Sequence, residues 1–266
     1  PAGRATPPRL APLGPVGGHE FVGRRPVPPG PVRLEFQGRT EITLLPTKVG
    51  KGGCWWSNSG DSISSTLTRR IDLRGQSEAN LSYQVWHQVE QDWDYGYVQV
   101  STDAGLTWDI LPTANTSPEN PIGNSFGSGY TGNSQGWLDE SIDLSPYSGR
   151  EIQIRFQYVT DDAINGSGLC FRNISVPENG PASANTGWQS DGFVLINNRV
   201  RQDYIVQVIQ IDQESQVSAM QLDQDNSGEI VIDSPQEFDR LVLAISAIAP
   251  LTLQPAPYTL TVEQAE

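Results

Sequence analysis

Carboxylates carry most of the chemistry that this sequence offers. In the stretch VEQDWDYG, Glu90, Asp92 and Asp94 stand at alternate positions, and alternate side chains of an extended strand share one face. Two carboxyl groups about 5 Å apart are what a retaining glycosidase uses, one as nucleophile and one as acid. The same grouping suits calcium, which takes oxygen ligands at about 2.3–2.6 Å. Asp161 and Asp162 in VTDDAIN can add ligands from a neighbouring strand end. Nothing beside them supplies an acid of raised pKa. Solvated or hydrogen-bonded sheet residues are therefore the first reading, a structural calcium the second, and glycoside hydrolysis the last.

A second acidic stretch, LDQDNSGEIVIDS, places Asp223, Asp225, Ser227 and Glu229 as in the first half of a calcium loop, with Gly228 where a sharp turn is required. Its twelfth position is Ser234 rather than a bidentate Glu, and the flanking VSAMQL and EIVID read as strands. A tight hairpin with a weak ion site is the expectation. Residues 101–108 read S-x-D-x-G-x-x-W, in which Asp103 and Gly105 are turn formers between alternating runs. The motif occurs once, so it builds a hairpin rather than a repeated blade. Trp55, Trp56, Trp86, Trp93 and Trp108 offer faces on which sugars stack, although tryptophan in a β-sandwich more often fills the core. Trp93 and Tyr95, beside the acidic stretch, are the candidates for an exposed binding pair.

The elements that must position these residues are strands. TEITLL, STLTRRIDL, LSYQVWHQV, YGYVQVS, LTWDIL, EIQIRFQYV and GLCFRNISV alternate and are divided by turn residues, which indicates an all-β sandwich. Residues 1–36 are rich in Pro, Gly and Arg and read as an extended arm. A jelly roll over 37–178 follows, then a linker, VPENGPASANTG, and a smaller β-sandwich over 186–266. Within the first sandwich, TANTSPENPIGNSFGSGYTGNSQG has neither helix nor strand period and reads as a long surface loop.

Composition narrows the classes of partner. A net charge of −14 argues against nucleic acid and anionic membranes, which would repel the chain. The longest apolar run, LVLAISAIAPLTL, is broken by Pro250 and falls short of the ~20 residues of a spanning helix, so membrane insertion is not expected. The chain opens at Pro1 with neither Met nor a charged-then-apolar leader, which fits a mature form or a fragment.

At WWSNSGDSISSTLTRRIDL, VEQDWDYGYVQVSTDAGLTW, WLDESIDLSPYSGREIQIRFQYVTDD and GWQSDGFVLINNRVRQDYIVQVIQ, the chain resembles the region after the catalytic domain in immune inhibitor A-type secreted metallopeptidases of bacteria. The resemblance runs from about residue 37 to the end and implies a MAM-type jelly roll, a small accessory β-sandwich and a secreted or cell-surface setting. It does not extend to the protease chemistry. The zinc site of such enzymes uses H-E-x-x-H, whereas this sequence has only His19 and His87, and HQVEQ lacks the second histidine. No zinc is expected.

Against the resembling sequences, Cys54 and Cys170 are unusual, and first and last strands are often neighbours in a jelly roll. A Cys54–Cys170 disulfide is the expectation. Arg172 and Asn173 stand where the resemblance implies acidic residues, which weakens the calcium reading.

These observations imply an extracellular, non-enzymatic β protein. One use is assembly, with residues 1–36 leaving their own domain to join another copy, a contact that can propagate into a filament. The alternative is a secreted binding module for a glycan, cell-surface or protein ligand, accessory to a metallopeptidase.

Overall fold

The computed structural model describes residues 19–24, 30–176, 185–233 and 235–265. Its strands are β1 (His19–Arg24), β2 (Val32–Gly38), β3 (Glu41–Thr43), β4 (Cys54–Trp56), β5 (Ser64–Asp72), β6 (Asn80–Gln88), β7 (Tyr95–Ser101), β8 (Asp109–Ile110), β9 (Leu138–Asp143), β10 (Glu151–Val159) and β11 (Gly168–Ser175). They continue with β12 (Gln189–Asp191), β13 (Val194–Ile196), β14 (Arg199–Arg201), β15 (Tyr204–Ile211), β16 (Ser215–Ala219), β17 (Ser227–Ile232), β18 (Arg240–Ala247) and β19 (Tyr258–Gln264). The fold is all-β, as the alternating runs indicated.

The chain divides into two compact units, and one is interrupted by the other in sequence: residues 47–198 form one, and 1–46 with 199–266 form the second. The 47–198 unit is a sandwich of two five-stranded sheets, ordered β12-β5-β10-β7-β8 and β13-β4-β11-β6-β9. Strict alternation makes each strand two-faced. In β10, Ile152, Ile154, Phe156 and Tyr158 turn inward while Glu151, Gln153, Arg155 and Gln157 face out. Phe156 of one sheet meets Phe171 of the other at 4.3 Å between ring centroids, and the Tyr83 ring stands edge-on to both. Each buried aromatic contributes roughly 1.5–3 kcal/mol. Gly96 lets this core close, because a Cβ there would lie 2.2 Å from a Leu169 methyl.

Cys54 on β4 and Cys170 on β11 are disulfide-bonded, with Cα atoms 5.7 Å apart. β4 and β11 are hydrogen-bonded neighbours, with Cys170 opposite Trp56, so the two cysteines share one face at diagonal positions. The bond closes a separation of 116 residues. By loop-entropy reasoning such a closure stabilises by up to about 5 kcal/mol.

The other unit corrects the expected domain boundaries. The 1–36 segment is not a free arm in its described part: β1 is the edge of a four-stranded sheet β1-β18-β15-β16, and β2 is the centre of a three-stranded sheet β17-β2-β19. Residues 1–18 and 25–29 lie outside the described residues. β2 buries Val32, Leu34 and Phe36 and exposes Arg33, Glu35 and Gln37. Leu34 and Phe36 belong to a core with Val206, Val208, Leu243 and Ile245, and Phe36 packs on Tyr204 and Tyr258 at 5.2 and 5.4 Å. At the far end, β12 and β13 pair with β5 and β4, so residues expected in a C-terminal domain complete the jelly roll instead. Most of the stretch read as an interdomain linker, residues 177–184, lies outside the described residues.

Deleting residues 1–36 is therefore expected to unfold the 1–46/199–266 unit while the disulfide-closed jelly roll persists. Calorimetry should record the loss of one of two transitions; a truncated chain that keeps both contradicts this topology.

Candidate functional site

The acidic stretch does not form a strand. Residues 91–93 are a turn, Asp92 has φ 67°, and the Asp94 N–H donates to the Glu90 carbonyl at 3.2 Å. The turn gathers Glu90 and Asp94, and Asp161 joins them from just beyond β10; one carboxylate oxygen from each lies within 4.8 Å of the others. Asp92 and Asp162 are not in this group. The Asp92 carboxylate accepts from Gln91 at 2.7 Å, and its N–H donates to Thr131 Oγ1 at 2.8 Å.

Asp94 is fully buried and accepts from the Tyr158 hydroxyl at 3.1 Å and the Asp161 N–H at 3.3 Å. Burial pushes its carboxyl above the usual range, against those hydrogen bonds. Glu90 is also raised, by desolvation and then by the Asp161 charge. The donor set, three hard oxygens and no nitrogen or sulfur, fits a calcium-like ion and not zinc. It does not suit sugar hydrolysis, because the buried Asp94 cannot reach a pyranose ring as nucleophile. His87 is turned inward with Nδ1 3.1 Å from the Gly132 carbonyl, and burial lowers its pKa.

The expected Trp93–Tyr95 pair is split. Trp93 is exposed, but Tyr95 is buried, with its hydroxyl donating to the Asp92 carbonyl. The turn shifts the face on which β7 begins. The 223–229 stretch is likewise used internally. Asp223 Oδ1 accepts the N–H groups of Asp225 and Ser227, each at 2.9 Å, and Glu229 lies opposite Glu35 in the ladder. It links β16 of one sheet to β17 of another, so it is not the expected hairpin.

The single S-x-D-x-G-x-x-W motif is a clasp. Ser101 Oγ donates to Asp103, Gly105 N–H donates to Ser101 Oγ, and Thr107 donates to Asp103 through both N–H and hydroxyl. These bonds hold the Asp103 carboxyl at about 2. Gly105, at φ 90°, supplies the left-handed backbone that the turn needs. The indole N–H of Trp108 donates to the Gly105 carbonyl, and its ring lies 4.0 Å from the Arg155 guanidinium.

Sequence reasoning missed the anchorage of the long loop. Buried Glu140 on β9 accepts from Thr113, Asn115 and the Tyr130 hydroxyl at 2.9, 3.1 and 3.1 Å. Tyr130 is hydrogen-bonded in turn to Tyr83 at 2.7 Å. Further along, the Phe126 N–H donates to the Tyr97 hydroxyl and the two rings stack at 5.6 Å. Phe126 nevertheless stays 65% exposed and Ile122 41%. Only an acid within an alternating strand and a tyrosine within a polar loop hinted at this network. Arg172 is also structural: it stacks on Trp137 at 3.8 Å and donates to the Lys48 and Val49 carbonyls.

A family model described as "Immune inhibitor A-like, MAM domain" matches residues 26–197. The chain belongs to this immune inhibitor A-like MAM family. The MAM match takes in the whole jelly roll apart from its last residue and begins within the other unit. Among curated proteins, "Pre-pro-metalloprotease PrtV" of Vibrio cholerae is 27% identical over 47% of this chain and 13% of its own length. "Immune inhibitor A" of Bacillus thuringiensis is 26% identical over 63% of the chain and 24% of its own. "Bacillopeptidase F" of Bacillus subtilis is 33% identical over 33% of the chain and 5% of its own. The matched segments thus span small parts of these relatives, and what matches is a MAM accessory region.

Because Asp103 is held at about 2, below the ~3.9 of a free Asp, the clasp stabilises the MAM domain fully above pH ~4 and loses that contribution as pH falls toward 2. Asp103→Ala is expected to lower the domain's melting temperature at neutral pH and to change the near-UV signal of Trp108. An unchanged melting curve would show that the clasp is incidental.

Proposed function

We propose that this chain is a non-catalytic, extracellular accessory module that holds a protein partner for a peptidase, through the 112–136 loop of its MAM domain. The observation that carries this reading is the pinned loop. Glu140, Tyr130 and Tyr97 fix its backbone while Phe126 and Ile122 remain exposed, so an apolar contact surface is offered without the entropy cost of ordering a free loop. MAM-family membership, the disulfide and relatives named as metalloprotease and peptidase support the extracellular, peptidase-associated setting. A glycan partner is less well supported, because of the Trp93 and Tyr95 pair only Trp93 is exposed.

Phe126→Ser with Ile122→Ser is expected to abolish capture of an unfolded protein probe, reduced carboxymethylated lysozyme, while costing only about 1 kcal/mol of stability from the lost Phe126–Tyr97 stack. Capture that survives the double substitution contradicts the loop reading.

We further propose that Glu90, Asp94 and Asp161 hold a structural calcium ion. One divalent cation would offset the desolvation that chiefly raises the Glu90 and Asp94 carboxyls and the smaller repulsion from Asp161. Calcium at about 1 mM, within the affinity range of extracellular sites, is expected to raise the MAM-domain melting temperature, and Glu90→Gln to reduce that rise. An equal response in both proteins would place the ion elsewhere.

Self-association through residues 1–36 keeps one supporting observation, the edge position of β1 on β18. A copy could pass that strand to its neighbour by exchange, and light scattering of the intact chain would reveal the resulting dimers or filaments.

A further inference from the structure

Strand β16 is one edge of the four-stranded sheet β1-β18-β15-β16, and its outer side meets no other described strand. The directions of its backbone groups follow from the register. The Met220 N–H donates to the Val206 carbonyl directly opposite it, so Ser218 and Gln216 are the next residues bonded to β15. The Ile248 N–H, donating to the Asp203 carbonyl, sets the complementary alternation between β15 and β18. Ser215, Val217 and Ala219 therefore aim their N–H and C=O groups at the open edge. None of these groups has a hydrogen-bond partner among the described residues.

Unpaired strand edges recruit other chains unless something guards them. Charged residues stand on most edges of this protein: Asp139 on β9, Asp191 on β12, Glu229 on β17 and Glu263 on β19. Ser215–Ala219 carries neither charge nor proline, and among the described edge strands only the three-residue β13 is like it. Val217 also ends a cross-strand row. It stands opposite Ile209, which stands opposite Val242, so the three share the outer face of the sheet. Val242 at the inner end is buried, whereas Val217 at the edge is 58% exposed.

We propose that β16 pairs with β16 of a second copy of this chain, antiparallel about a two-fold axis at Val217. In this register Val217 faces Val217 and Ser215 faces Ala219, so every outward donor of one strand meets an outward acceptor of the other. The apolar row then runs unbroken from Val242 of one copy to Val242 of the next. Charge also fits a second copy, although each carries −14, because Glu214 falls opposite Met220 and no carboxylate meets another across the strand pair. The contact is closed by its own symmetry and does not propagate, unlike exchange of β1. It makes no use of the 112–136 loop.

Sedimentation equilibrium of the intact chain is the test. The native protein is expected to dimerise reversibly, and Val217→Lys or Val217→Glu to weaken the dimer by at least about tenfold, since each sets like charges directly opposite one another. An equimolar mixture of the two variants is expected to recover dimers through Lys–Glu pairs, which proteins that had merely lost their fold could not do. Val231→Lys, at an exposed valine on β17, should leave dimerisation unchanged. A native chain that stays monomeric up to about 1 mM, no recovery in the mixture, or an equal loss with Val231→Lys would each overturn the pairing. Undiminished association of Val217→Lys would overturn it as well and assign the assembly to exchange of β1.

Discussion

The pairing of β2 on both its edges is the constraint on which the 1–46/199–266 unit depends. Val32 lies opposite Ile232 on one side and Gln264 on the other, so a strand near the start of the sequence is hydrogen-bonded only to strands near its end. Its inward residues, Val32, Leu34 and Phe36, also supply a large part of that unit's core. Until the chain has closed over the intervening domain, neither the ladder nor the core can form. The MAM domain eases this closure. Its own ends are tied where Asn198 donates to the Thr47 carbonyl at 2.7 Å, so once folded it behaves as a short connection rather than a long flexible loop.

Within the MAM domain, some acidic side chains finish turns. Asp103 closes the clasp before Trp108, and Asp143 accepts the Ser145 N–H at a 3-10 turn. Asp223 does the same in the other unit. Each satisfies backbone N–H groups that a tight turn would otherwise leave without partners. Glu90, Asp94 and Asp161 are different, because their carboxylates also converge on one another, even though Asp94 and Asp161 accept backbone N–H groups as well. That contrast, rather than acidity itself, marks them out.

How far the sequence disclosed this arrangement follows from the range of each signal. Alternation is local, and the all-β fold, the inward face of β10 and the turn at Asp103 were legible from neighbouring residues alone. The Cys54–Cys170 pair was legible because two cysteines stood out against resembling sequences. The membership of β2 was not, although Val32, Leu34 and Phe36 alternate cleanly, because the surrounding prolines and arginines masked a strand whose partners lie some two hundred residues away. The face assigned to Glu90, Asp92 and Asp94 failed because a single left-handed residue, Asp92, converts a strand into a turn. Tyr95 then lost its expected exposure, and the Glu140 network stayed hidden because it joins a strand to a loop through side chains with no fixed spacing.

The N-terminal strand and the C-terminal segment form one cooperative unit interrupted by a MAM domain, and native-state hydrogen exchange of the intact chain, read by mass spectrometry, is the test of that cooperativity. Amides of residues 32–38 are expected to exchange with the same protection as those of 227–232 and 258–264, and to open with them as one unit on adding denaturant. Exchange of 32–38 at the rate of a free chain, while 227–232 stays protected, would contradict it.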